Sequence, residues 1–457
     1  MITVISGIKL FVLIVSGLLY LLGLGWAITE LYKTAHFSLS RNIPLILMSG
    51  IIFNYGIVLS VQSLKISLIA GCIISLFGIL KLMLYIHYDN KRRWPDSSFI
   101  NRWIGIIFFS SIYLSPIIAN PLSEWDARSI WFFHAKMIYT AGSIGRMAGW
   151  QHTSVIFSHT DYPNLVPTLA AQTAFILGFW NEYIPKISLF FMLVPAIAWL
   201  FSFSQRSFSF IILLLLIPFS FGGWLWNGYM DGFLALYFSV AMLLLGRYMS
   251  SSKSSDLLAS ICCLISLPYI KNEGSLATFI VLCMATLIYF KDKKLSFPKP
   301  ILSQWRIYVV SFIALAPLVL WGVYKQQWHL SNDLGVGTVQ FFLRITNRIA
   351  DGSYKLILES SYQQGEGALL LFGVLCAASF ARNKSLSRES FPALVAALIY
   401  YLGIIIIYLG TPNDLAWHLR TSIERTMLPI NGSIFVGSYF ILRQIENYKT
   451  IIKTTYL

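Results

Sequence analysis

The chain has 457 residues, of which 57% are hydrophobic and only 12% charged, and its mean hydropathy is +0.69. These values exclude a water-soluble globule and describe a chain whose solvent is lipid. The net charge of +15 does not mark a nucleic-acid binder, because Lys and Arg stand in short clusters between apolar segments and form no continuous basic domain.

The first apolar segment, 5–27, is too long for a cleaved signal core and has no basic stretch before it, so it reads as a retained span. Further spans are expected at 43–64, 67–87, 103–119, 187–204, 208–226, 232–250, 257–270, 275–290, 307–324, 367–381, 391–410 and 427–444. They approach the ~20 residues needed to cross a ~30 Å hydrocarbon core. No short alternating strands occur, so the spans are helices that satisfy their own backbone. The basic loops, Lys33 to Arg41, Lys91 to Arg102, Arg206, Arg247 to Lys253, Lys291 to Lys299, Arg382 to Arg388 and Arg443 to Lys453, are cytoplasmic by the positive-inside rule.

That orientation places 120–163, 226–231, 271–274, 325–366 and 411–426 together on the opposite face. Alternation then requires one segment between 163 and 205 not to cross, and 164–180 is expected to be re-entrant or tilted and covered by protein. The fold class is thus all-α, a polytopic transmembrane helical bundle of about thirteen crossings in one membrane domain, 1–457. All five cysteines, Cys72, Cys262, Cys263, Cys283 and Cys376, fall within apolar segments without metal-ligand spacing.

The non-cytoplasmic loops hold the unusual polar residues. Loop 120–163 opens with Glu124-Trp125-Asp126 and runs to Lys136, mixing charge with aromatic bulk as an interfacial helix does. A carboxylate at such a boundary can accept the proton of an attacking hydroxyl. His159, Asp161 and Tyr162 follow at the entrance to an apolar segment, where polar groups need partners. Asp161 and Asp231 each precede or head an apolar helix, so a capping role and a site role are both open. Lys271-Asn272-Glu273-Gly274 interrupts an apolar run, which implies two short helices meeting at a polar break. In the last outer loop His418, Ser422 and Arg425 fall on one helical face at i, i+4 and i+7, while Arg420 and Glu424 pair at i, i+4 on another. Two arginines beside a histidine on the non-cytoplasmic side of the membrane run against the positive-inside bias and suit an anion. The middle outer loop, 325–366, offers His329, Asp333, Arg344, Arg348, Asp351, Lys355 and Glu359 around an amphipathic helix without singling one out.

In this order, Glu124-Trp125-Asp126-Ala127 with Lys136, His159-Thr160-Asp161-Tyr162-Pro163, Tyr229-Met230-Asp231, Lys271-Asn272-Glu273-Gly274, then His418 and Arg425, the chain resembles bacterial GT-C membrane glycosyltransferases. More narrowly it resembles dolichyl-phosphate-mannose-protein mannosyltransferase-like proteins, lipopolysaccharide galacturonosyltransferases and the aminoarabinose lipid A transferase. The resemblance covers roughly 103–430 and leaves 1–100 as a three-span N-terminal addition. It departs from the family's His-Pro-Pro-type turn, since Thr160-Asp161-Tyr162 separate His159 from Pro163.

The resemblance implies an inverting transfer from a polyprenyl-phosphate-linked sugar to a glycan, lipid or protein acceptor. The site would face the periplasm of a bacterial inner membrane. It implies Asp126 as base, with Glu124 able to substitute or to bind a divalent metal where one is used. Lys136, Lys271, His418, Arg420 and Arg425 are implied for the donor phosphate, and His159, Asp161, Tyr162, Asp231 and Glu273 for the substrate pocket. No glycine-rich nucleotide fingerprint occurs, and a donor carried in the membrane needs none. Two rivals remain: an O-antigen ligase or polymerase with His418 as base, and a polyprenyl-lipid flippase or transporter.

Overall fold

The computed structural model describes residues 4–32, 39–89, 97–203, 207–292, 305–330, 332, 334–383 and 385–455. The basic stretches 33–38, 90–96, 204–206 and 293–304, and Asp333, lie outside the described residues. Among the described residues all the regular secondary structure is helical and there is no strand. In chain order the helices are α1 (Val4–Tyr32), α2 (Leu39–Val61), α3 (Leu64–Asp89), α4 (Ser97–Ala119), α5 (Phe132–Ala141), α6 (Leu165–Leu177), α7 (Ile187–Phe201) and α8 (Phe208–Phe221). They continue with α9 (Asp231–Ser251), α10 (Ser254–Ile270), α11 (Gly274–Asp292), α12 (Trp305–Gln327), α13 (Val339–Ala350), α14 (Tyr354–Asn383), α15 (Phe391–Gly410) and α16 (Leu415–Thr455).

Among the described residues, eight helical segments are long and apolar enough to cross a membrane: 7–31, 42–61, 64–88, 100–119, 184–201, 231–251, 354–382 and 388–410. Shorter apolar helices occupy 165–177, 255–270 and 274–288. The chain is therefore an all-helical multi-pass membrane protein by length and composition. Two boundaries shift furthest from the sequence reading. The span expected at 367–381 starts at Tyr354, because Glu359, Gln363, Gln364 and Glu366 depress hydropathy without interrupting the helix. The last outer segment and the last span form one helix, α16, which continues through Pro429.

The backbone clusters into two compact units. The first comprises 1–202, 225–229 and 297–330. Here α1 packs on α2 and α3 through bare backbone: a Cβ on Gly25 would strike the Ile46 carbonyl, and one on Gly50 the Leu21 carbonyl. Such close approach is how helices adhere where lipid supplies no hydrophobic drive. Asn54 and Gln172 exchange amide hydrogen bonds of 2.7 and 3.1 Å, and Tyr20 donates to Asn54 at 2.8 Å, which satisfies the buried amides. The 13-residue α6 covers roughly 20 Å, too little to cross alone. It is covered by protein from Leu165 to Ala174.

The second unit comprises 203–224, 230–296 and 331–457. Here α16 packs against α8, α9, α14 and α15, and α10 pairs with α9 and α11. The amphipathic α13 closes the end of α15. Arg344 donates to the Gly410 carbonyl at 2.7 Å, and Arg348 donates to the carbonyls of Tyr408, Leu409, Thr411 and Asn413 at 2.8 to 3.1 Å. A helix end leaves four carbonyls without intrahelical partners and carries partial negative charge, so two guanidinium groups satisfy both needs. Arg348→Ala should therefore lower unfolding stability by about 2 kcal/mol, the scale of a charged hydrogen bond. Arg348→Lys should recover little, because an ammonium cannot reproduce the fork. Thermal or denaturant unfolding of the purified protein checks both.

Candidate functional site

In the first unit, loop 120–163 winds into a π-helical turn, Ala127–Trp131, leading directly into α5. The surface helix expected here has one side buried against α6, including Trp131, Phe132, His134 and Ile138. Asp126 precedes the turn without capping it through its side chain, and its backbone N–H faces the Tyr229 hydroxyl at 3.5 Å. Asp126 is half-buried, whereas Glu124 and Lys136 are exposed.

The loop is organised by a residue the sequence reading passed over. His134 is fully buried, with Nδ1 3.1 Å from Asn164 Oδ1 and Nε2 3.1 Å from Ser158 Oγ. Burial pushes its pKa down to about 4. Asn164 heads α6, so Asp161 does not cap that helix. Asp161 is buried, and its carbonyl accepts from the Trp321 indole at 3.3 Å. His159 takes a left-handed conformation, φ 54°, and stacks on Tyr162, which in turn meets Trp131.

The second unit brings together residues far apart in sequence. Helix α10 ends at Ile270 and α11 begins at Gly274, where a Cβ would collide with the Leu267 carbonyl, so the tight hairpin needs glycine. The turn projects Lys271 inward. Its Nζ lies 2.7 Å from Asp231 Oδ1 and 3.1 Å from Glu273 Oε1. Asp231 is the first residue of α9 and is 3% exposed; the helix gets no side-chain cap from Met230, the residue before it. Burial alone would lower the Lys271 pKa, but the two carboxylates raise it above the ordinary lysine value, so it is charged.

From α16, Arg425 lies within electrostatic reach of both Asp231 and Lys271. His418 packs its ring 5.0 Å from that of Tyr408, and the Tyr408 hydroxyl meets Ser422 at 2.8 Å and Thr426 at 3.0 Å. Burial, then Arg425, Arg348 and Lys271, push the His418 pKa down to about 4, so its imidazole is neutral at physiological pH. Its Nδ1 is buried and makes no hydrogen bond among the described residues. The same holds for Asp231 Oδ2 and Glu273 Oε2.

The cluster thus sets two carboxylates against two fixed cations beside a neutral imidazole. Tyr400 and Tyr408 complete it from α15, with Tyr400 within electrostatic reach of Glu273 and Asp231. Sequence reasoning did not name either tyrosine. Their signal is the spacing of Tyr400, Ile404 and Tyr408, the buried face of an apolar helix. Arg420 stands apart, exposed on the opposite side of α16 from this group. Among the described residues no group of three or more His, Cys, Asp or Glu side chains is placed to hold a metal ion, and none is proposed at Glu124.

Compared with protein-family models, with curated proteins and with solved structures, the chain matches none of them.

Two outcomes are expected from stability measurements. Lys271→Met strands Asp231 in the interior and should cost about 3–5 kcal/mol, most of which Asp231→Asn restores in the double variant. Additive losses in that cycle would contradict the pairing. His134 has a depressed folded pKa, so its stabilisation is complete above the unfolded value of 6.5 and is lost as pH falls towards about 4. The loss runs at about 1.4 kcal/mol per pH unit. His134→Gln should flatten the decline of melting temperature across that window, and an unchanged slope would show that other groups set it.

Proposed function

We propose that the chain is a membrane glycosyltransferase that moves a sugar from a polyprenyl-phosphate donor to an envelope glycan, lipid or protein acceptor on the non-cytoplasmic face. The observation that carries this reading is the buried, doubly anchored Lys271 with Arg425 and neutral His418 beside it. Ions brought to the edge of apolar helices add little net stability, and their presence there favours a functional role. The four charges sum to zero, so attraction by net charge does not explain anion capture. The donor phosphate instead takes the place of Glu273, the longer and more exposed of the two Lys271 partners. Asp231 keeps the ammonium aimed during that exchange.

In the reaction the acceptor hydroxyl attacks the anomeric carbon, its proton passes to a carboxylate, and the bond from the anomeric carbon to the phosphate oxygen breaks. The polyprenyl phosphate leaves with one more negative charge, which Lys271 and Arg425 stabilise. Asp126 of the first unit is proposed as the base on the strength of the resemblance alone. A second reading is favoured by one observation: His418 is neutral and has an unbonded Nδ1, as a ligase-type base requires.

The test is transfer of radiolabelled sugar from a panel of polyprenyl-phosphate sugars to envelope acceptors in membranes matched for expression. Wild-type transfer should fall at least about a hundredfold in Asp126→Asn, the scale of a lost general base. Transfer that survives Asp126→Asn and vanishes in His418→Ala moves the assignment to the ligase reading. Absence of transfer from every donor removes both and leaves lipid transport to be tested.

A further inference from the structure

We propose that the groove between α14 and α16 in the second unit is a binding site for an anionic saccharide, distinct from the Lys271 cluster. The apolar stretch of α14, 354–382, has 29 residues and is about 44 Å long, well beyond the ~30 Å hydrocarbon core. Its polar residues lie in the first turns, so that end projects past the lipid. The first turns of α16 are polar as well, and the two helices pack side by side.

Where they meet lies a groove of about 300 Å³, with Ser360, Gln363, Gln364 and Arg420 on its walls and Leu419 and Ile423 in its lining. That volume suits one or two sugar rings. Gln363, Gln364 and Arg420 are exposed, and among the described residues their side chains make no hydrogen bond or ion pair. The i, i+4 pair expected between Arg420 and Glu424 is not made among the described residues; both side chains are exposed.

The chemistry of the lining selects its ligand. Carboxamides and a hydroxyl match the paired donors and acceptors of sugar hydroxyls. The leucine and isoleucine side chains accept the C–H face of a pyranose. A guanidinium binds a carboxylate or phosphate through two parallel hydrogen bonds. An acyl chain is a poor occupant, because it would strand four polar groups against hydrocarbon. The helical phase of α16 keeps this site separate from His418, Ser422 and Arg425, which lie on the other face. Binding here needs no donor, so it can be measured whether or not the transfer reaction exists.

The experiment is ligand-observed NMR titration of the full-length protein in nanodiscs with digalacturonate and its neutral counterpart, galactobiose. Digalacturonate should bind at least about tenfold more tightly, as a charge-assisted pair contributes. Arg420→Gln should abolish that preference, and Gln363→Leu should weaken both sugars several-fold. The Asp231→Asn/Lys271→Met double variant should leave digalacturonate binding unchanged. Binding of neither sugar, or a preference that survives Arg420→Gln, would overturn the proposal.

Discussion

The second unit depends on one ion pair, Lys271 to Asp231, made between the break of a helical hairpin and the first residue of the neighbouring helix. An ammonium there would shed its proton or seek water if left alone, since burial disfavours charge. Asp231 prevents both, and in doing so fixes α9 against the α10–α11 turn. The turn itself is possible only because Gly274 lets the backbone pass the Leu267 carbonyl. Sequence, packing and electrostatics therefore converge on four consecutive residues, 271–274.

The other half of the cluster is held by a helix end. Arg344 and Arg348 close the carbonyls of α15, which positions Tyr408, and Tyr408 holds Ser422 and Thr426 on α16. The same helix carries two chemistries on two sides. One side places His418 and Arg425 beside the buried ion pairs, and the other presents Arg420 to an open polar groove. The separation is a direct product of the helical repeat.

Much of this was legible in the chain. The apolar runs gave the all-helical membrane class, the island at 271–274 gave the hairpin break, and the i, i+4, i+7 spacing gave the shared face of His418, Ser422 and Arg425. The partner of Lys271 was not legible, because Asp231 is 40 positions away and stands where an ordinary helix cap would. Tyr400 and Tyr408 were hidden because a tyrosine in an apolar span reads as bulk. His134 was hidden because a lone histidine between aromatics carries no pattern. The early start of α14 escaped a hydropathy reading, which registers lipid exposure and not helicity. About thirteen crossings were expected, whereas eight described helices meet the length and apolarity required.

The central claim is that the Lys271 cluster receives the phosphate of a polyprenyl lipid. Native mass spectrometry of the purified protein with decaprenyl phosphate, against decaprenol of the same chain length, tests it most directly. Wild-type protein should retain decaprenyl phosphate in preference to the alcohol, and the Asp231→Asn/Lys271→Met double variant, folded but without the ammonium, should lose that preference. Equal retention of both lipids by wild-type protein, or a preference untouched in the double variant, would contradict it.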